Sequence, residues 1–174
     1  DMKRFVLSLL VVAAGAATTD AAATTITYQA TQVSGTTWRY DYTVINNGSP
    51  TSELKLFDIL FDPLKYDETT LLVKSAAGIA NSWDELFLAS GIGVPAAYDV
   101  LAKGGGIGIG QSFSGFAVQF RWLGAGTPGG QGFEIYDATT FALLGTGTTV
   151  PLPGAAWLLV SAVGLARLAR SARS

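Results

Sequence analysis

The chain contains neither cysteine nor histidine among its 174 residues. Without cysteine there are no disulfides, no thiol nucleophile, no thiolate zinc site and no lipid attached through sulfur. Without histidine the chain lacks the commonest general base, the usual triad partner and the commonest transition-metal ligand. Charge is scarce too, with only 14% of residues being Asp, Glu, Lys or Arg. Between residues 24 and 149 six basic residues stand against eleven acids, so the middle of the chain is acidic. No basic run there could follow a phosphate backbone, which excludes nucleic acid as a partner. Glycine, in contrast, is plentiful at 21 residues. Many glycines with little charge point to a β-rich chain with numerous turns.

The mean hydropathy is positive, +0.36, and much of that comes from the two ends. At the front, Lys3 and Arg4 precede an apolar run over residues 5–17, and Ala21-Ala22-Ala23 supplies a small-x-small pattern. This is the three-part layout of a secretory signal, assigned to residues 2–23, with signal peptidase reading Ala21 and Ala23 and cutting after Ala23, or alternatively at Ala16 or Ala17. At the back, residues 155–166 are almost wholly apolar and Arg167, Arg170 and Arg173 follow. Counted from Val150, about seventeen residues rise roughly 25 Å as a helix, slightly under a hydrocarbon core of about 30 Å. Snorkelling arginines extend that reach and belong on the cytoplasmic side, leaving the domain outside. Read alone, this segment is a transmembrane anchor.

Between the ends the periodicity is two. In "TWRYDYTVIN", Trp38, Tyr40, Tyr42 and Val44 alternate with Arg39, Asp41, Thr43 and Ile45. "NNGSP" turns the chain through Asn47-Gly48 and stops pairing at Pro50. "FAVQFRWL" and "GFEIYD" repeat the alternation, and further strands are predicted near 25–33, 54–62, 70–75, 84–89, 98–102 and 141–145. "LKLFDILFDPL" fits a helix face or a strand, and Pro63 with its short length favours the strand. Eight or nine short strands predict an all-β, antiparallel β-sandwich of immunoglobulin-like or jelly-roll-like kind over residues 24–149.

Candidate chemistry is sparse. Gly124, Gly126 and Gly129 fall in G-x-G-x-x-G register, but Pro128 and two more glycines follow where a helix is needed to hold a pyrophosphate. "WLGAGTPGG" therefore reads as a hairpin loop and "KGGGIGIGQS" as a flexible turn, so no nucleotide cofactor is expected. Three acid pairs, Asp58 with Asp62, Asp67 with Glu68 and Asp84 with Glu85, are of types used by glycosidases and calcium sites. None lies in a dedicated calcium loop, and no catalytic residue or metal ligand is assigned. Among the tryptophans, Trp38 and Trp122 sit on the apolar side of their strands and read as core. Trp83, in "NSWDEL", follows a turn-like dipeptide and is the better candidate for an exposed sugar-stacking platform.

The tail "VPLPGAAWLLVSAVGLARLARSAR" closely resembles the VPLPA-CTERM variant of the PEP-CTERM sorting signal: a proline-bearing motif, a short apolar helix and an arginine cluster. Val150, Pro151, Leu152 and Pro153 match the motif, Gly154 stands where alanine is usual, and the Glu of the PEP form is missing. The resemblance covers residues 150–174 and implies a Gram-negative exporter. There an exosortase-type enzyme in the inner membrane recognises the tail and removes it near the motif. Many such proteins accompany exopolysaccharide production. "GIGIGQSFSGFAVQFRWLGAGTPGGQGFEIYD" also resembles the variable sandwich domains of that family, which carry no known catalytic residues. The expectation is thus a non-enzymatic surface or extracellular-matrix protein, membrane-held and then sorted. A carbohydrate-binding module for exopolysaccharide is the alternative, and a carboxylate-based glycoside hydrolase is a further one.

Overall fold

The computed structural model describes residues 24–48 and 53–152. The segment 2–23 with Ala21 and Ala23 lies outside these residues, as do Pro153, Arg167, Arg170 and Arg173. Among the described residues no helix is long and apolar enough to cross a membrane.

Two five-stranded sheets pack face to face. The first contains β1 (Thr24–Ser34), β2 (Thr37–Asn46), β5 (Tyr66–Val73), β9 (Ser112–Trp122) and β12 (Val150–Pro151), in the order β12-β1-β2-β9-β5. The second contains β4 (Leu56–Phe61), β6 (Trp83–Leu88), β7 (Ala96–Ala102), β10 (Gly132–Tyr136) and β11 (Leu143–Thr148), in the order β11-β10-β4-β7-β6. A small ribbon pairs β3 (Glu53–Leu54) with β8 (Ile107–Gly108), and one helical turn, α1 (Ile79–Ser82), precedes β6. Strand pairing is antiparallel except between β12 and β1, where Thr27 faces Val150 and Tyr28 faces Pro151 in parallel. The sheet therefore runs into the tail motif: Leu152 N–H donates to the Tyr28 carbonyl at 2.8 Å.

The alternation read from sequence sets which face is inward. Tyr40, Tyr42 and Val44 of β2 and Phe116, Val118 and Phe120 of β9 are buried, as are Phe57, Ile59 and Phe61 of β4. The ambiguous "LFDILF" is a strand. Its odd-numbered residues meet the other sheet through edge-to-face rings, Phe57 on Phe116 at 5.4 Å and Phe61 on Phe120 at 6.1 Å. Such contacts make burial of these rings worth more than their area alone.

The two ends of the sandwich are finished differently. At one end α1 and the β3–β8 ribbon close the gap between the sheets, burying Ile79, Leu54 and Ile107. Asn46 ties the ribbon down: its Nδ2 donates to the Ile107 carbonyl at 2.8 Å. At the other end lie the β1–β2 hairpin, the β4–β5 turn, the β6–β7 loop and the segment 123–131. "WLGAGTPGG", expected to be a hairpin loop, instead carries the chain from β9 in one sheet to β10 in the other. Hydrophobic alternation on each side of a loop does not say which sheet the next strand joins.

Candidate functional site

The open end holds a groove of about 400 Å³ flanked by the indoles of Trp38 and Trp122. Both rings sit on the inward faces of their strands, and register places Trp38 opposite Phe120 and Thr37 opposite Arg121. Phe120 is covered because Phe61, the last residue of β4, packs against it. Beyond that point the second sheet stops, so Trp38 and Trp122 are only half-buried. As the sequence reading expected, both pack against the core, and they continue its inward face past the place where the covering sheet ends.

The segment 123–131 forms the far wall, held by hydroxyls rising from the core. Tyr40 Oη donates to the Gly129 carbonyl at 2.6 Å, and Tyr42 Oη donates to Gln131 Oε1 at 2.6 Å. With the Tyr40 proton committed, the 3.2 Å contact between the Tyr40 and Tyr66 hydroxyls takes its proton from Tyr66. Burial raises all three phenols, Tyr66 to about 12 and Tyr40 and Tyr42 well above the ordinary tyrosine value, so they remain neutral donors. Tyr66 also meets Trp122 edge-on at 5.0 Å. Gly124 lies against the same indole, where a Cβ would fall 2.5 Å from Cζ2. Trp122 is thereby fixed in place, while Gln32, Thr36 and Thr127 bring polar groups to the groove. Aromatic faces with a few convergent polar groups suit a sugar ring, whose C–H faces stack and whose hydroxyls hydrogen-bond.

Trp83 is not an exposed platform. It is 2% exposed, packed against Phe57, Phe113 and Phe116 at 5.3–6.2 Å between ring centres. The dipeptide before it belongs to α1, which helps to close that end of the sandwich, and strand alternation aims the indole inward.

The acid pairs do not converge as pairs either. Successive strand residues point to opposite faces, so neighbours in sequence are separated by the sheet itself. Asp67 pairs with Arg121, whereas Glu68 accepts from Ser90 through N–H and hydroxyl at 2.9 and 2.6 Å. Glu85 turns inward to accept from Ser75 and Tyr98, while Asp84 is exposed. Asp62 accepts Leu64 N–H at 3.0 Å in the β4–β5 turn, away from Asp58.

Asp58 instead lies opposite Asp99 on β7 and Glu134 on β10, a cross-strand row that sequence reasoning missed. It is 7% exposed and its Oδ1 has no hydrogen-bond partner. Burial first, then the hydrogen bond and charge of Asp99 and the charge of Glu134, push its carboxyl up to about 7. Asp99 is raised too, chiefly by burial. Two carboxylates held side by side on neighbouring strands disfavour a second negative charge in the row. The available signal was a lone carboxylate embedded in the apolar run "LFDILF". Among the described residues no three acids group so as to hold a metal ion.

A second groove, about 430 Å³, lies at the same end, between the β4–β5 turn and the 91–95 hairpin. A third, about 150 Å³, lies where Leu152 meets β1 and β2. Each of these two contains one carboxylate residue, Asp62 and Asp41 respectively.

No protein-family model matches the chain, and no curated protein sequence matches it. Among solved structures the chain is similar to the family 3b carbohydrate-binding module from the biomass sensoring system of Clostridium clariflavum. The TM-score is 0.43 at 13% identity, over 70% of this chain and 93% of that one. At that level the similarity carries no statement about what this chain binds.

Proposed function

We propose that the chain is an exported, non-catalytic β-sandwich that binds carbohydrate in the groove between Trp38 and Trp122. The observation that carries this reading is the pair of half-buried indoles, one of them locked by Tyr66 and Gly124, beside uncharged polar side chains. A preorganised aromatic surface gains affinity because little side-chain freedom is lost when a ligand stacks on it. Trp38→Ala tests the reading on a glycan array with the full chain in mild detergent. Saturable glycan binding that falls by about tenfold or more, or about 1.4 kcal/mol, supports it. Gln32→Ala, at the exposed rim, gives a second variant that leaves the core untouched. Binding that survives both substitutions counts against the groove.

Delivery is a separate part of the proposal and rests on the sequence. The segment 2–23 sends the chain out, and residues 150–174 hold it in the inner membrane for an exosortase-type enzyme, leaving the mature form at the cell surface or secreted. Mass spectrometry of protein from the native host checks this. Surface copies that all retain residues 167–174 would mean simple anchoring in place of sorting.

A further inference from the structure

We infer that the outer edge of β1 is an interaction surface for a second copy of this chain, which joins it by antiparallel pairing of the two β1 strands, and that β12 is the strap covering that edge. The inference does not rest on the carbohydrate reading.

The edge itself is unusual. On one side β1 pairs with β2 without a break from Thr24 to Gln32, and on the other β12 lies against Thr27 and Tyr28 alone. Among the described residues no other strand lies along that side. A long edge is commonly blunted by charge, by proline or by a bulge. The eleven residues of β1, TTITYQATQVS, include no charge and no proline, and its register shift falls at the far end, between Gln32 and Ser34. The opposite edge of the same sheet is different: β5 carries Asp67 and Glu68 and shifts register between Asp67 and Leu72.

The strand is also its own complement, which names the occupant. Read outward from Tyr28, it has Thr27 and Gln29, then Ile26 and Ala30, then Thr25 and Thr31. A twofold axis at Tyr28 therefore sets Ile26 opposite Ala30 of the second copy on the inward face, and Thr25 opposite Thr31 of the second copy on the outward face. Apolar meets apolar, hydroxyl meets hydroxyl, and no like charges meet. Paired over residues 24–32, the two copies would share about ten backbone hydrogen bonds.

The strap sits on the centre of that self-complementary stretch. Its start is fixed at Thr149, whose N–H donates to the Gln131 carbonyl and whose Oγ1 accepts Gln131 N–H, both at 2.8 Å. Leu152 N–H then reaches the Tyr28 carbonyl at 2.8 Å. Backbone donors alternate sides along a strand, so the Pro151 nitrogen faces away from β1 and offers no N–H to a further strand. The strap thus closes the edge without creating another. Val150 and Leu152 remain 43% and 38% exposed, so little apolar burial holds the strap down.

Light scattering of the full chain in mild detergent, read as mass against concentration, tests the inference. Leu152→Pro removes the N–H that ties the strap to Tyr28. The position follows Thr149, the last buried residue described, so the domain tolerates the change. It should tighten dimerisation by about tenfold or more over the wild type. Ala30→Pro, added to Leu152→Pro, deletes an edge donor that faces away from β2, and Gln29→Lys, added instead, brings two lysines within roughly 8 Å across the axis. Each addition should restore the monomer. If Ala30→Pro lowers the melting temperature, Gln29→Lys decides alone, because its side chain lies on the outward face. A Leu152→Pro chain that stays as monomeric as the wild type overturns the inference. So does association that grows past a dimer, or a dimer that survives Gln29→Lys.

Discussion

The two ends of this sandwich teach opposite lessons about the same kind of residue. Trp83 and the pair Trp38 and Trp122 all occupy inward positions near strand ends. At one end α1 and the β3–β8 ribbon fill the gap, so Trp83 is sealed among Phe57, Phe113 and Phe116. At the other end the covering sheet stops at Phe61, and the same inward face emerges as the wall of a groove. An indole in the first setting is sealed into the fold, and one in the second packs on the core at one side and borders a groove at the other.

The comparison breaks most visibly at Trp83. Trp83→Ala should cost about 3–5 kcal/mol of stability by denaturant titration, because the site is enclosed and cannot collapse around the void. An effect below about 1 kcal/mol would place Trp83 outside the core. Trp38→Ala should cost clearly less in the same titration, its main consequence being lost glycan affinity.

The cross-strand acids sharpen the contrast between a neutral groove and a charged sheet face. Asp58 sits at an ordinary carboxylate value when unfolded and at about 7 when folded. Its folded pKa is therefore raised, and the stability tied to it is complete below about pH 4. It is lost as the pH rises through about 7, when a second negative charge must be held beside Asp99 and Glu134. The loss between pH 5 and 8 should be on the order of 3 kcal/mol, and Asp58→Asn should remove most of it. Thermal melts across that range check the sign: a wild-type protein that is more stable at pH 8 than at pH 5 refutes the raised Asp58 carboxyl.

Smaller effects follow at the groove wall. Gly124→Ala puts a methyl group into the Trp122 indole, and should cost about 1–3 kcal/mol while weakening glycan binding, since the ring must move. The change in tryptophan fluorescence between Gly124→Ala and its parent, lost when Trp122 is replaced by Phe, is the accompanying measurement. Smallest of all, Leu143→Ser, exposed on β11 toward the closed end, should change stability by no more than about 0.5 kcal/mol and leave binding intact.

Much of the fold was legible. Alternation in "TWRYDYTVIN" and "FAVQFRWL" identified β2, β9 and their buried faces, and Asn47-Gly48 marked a real turn, with Gly48 at φ 133°. The site was less so. Strand order brings Asp58 to Asp99, forty-one positions away in sequence, and to Glu134, and nothing local to "LFDILF" announces either partner. Two of the acid pairs that did catch the eye, Asp67 with Glu68 and Asp84 with Glu85, are adjacent residues, which a pleated strand sends to opposite faces, and the third, Asp58 with Asp62, runs from a strand into a turn.

By itself the sequence determined the all-β class, the inward faces of β2, β4 and β9 and the apolar character of both chain ends. These are properties of a residue and its near neighbours, set by the two-residue period of a strand and by local hydropathy. Only the tertiary structure decided which inward residues are core and which are groove. That depends on where the opposing sheet ends and on what closes the gap, and both follow from contacts between segments far apart along the chain.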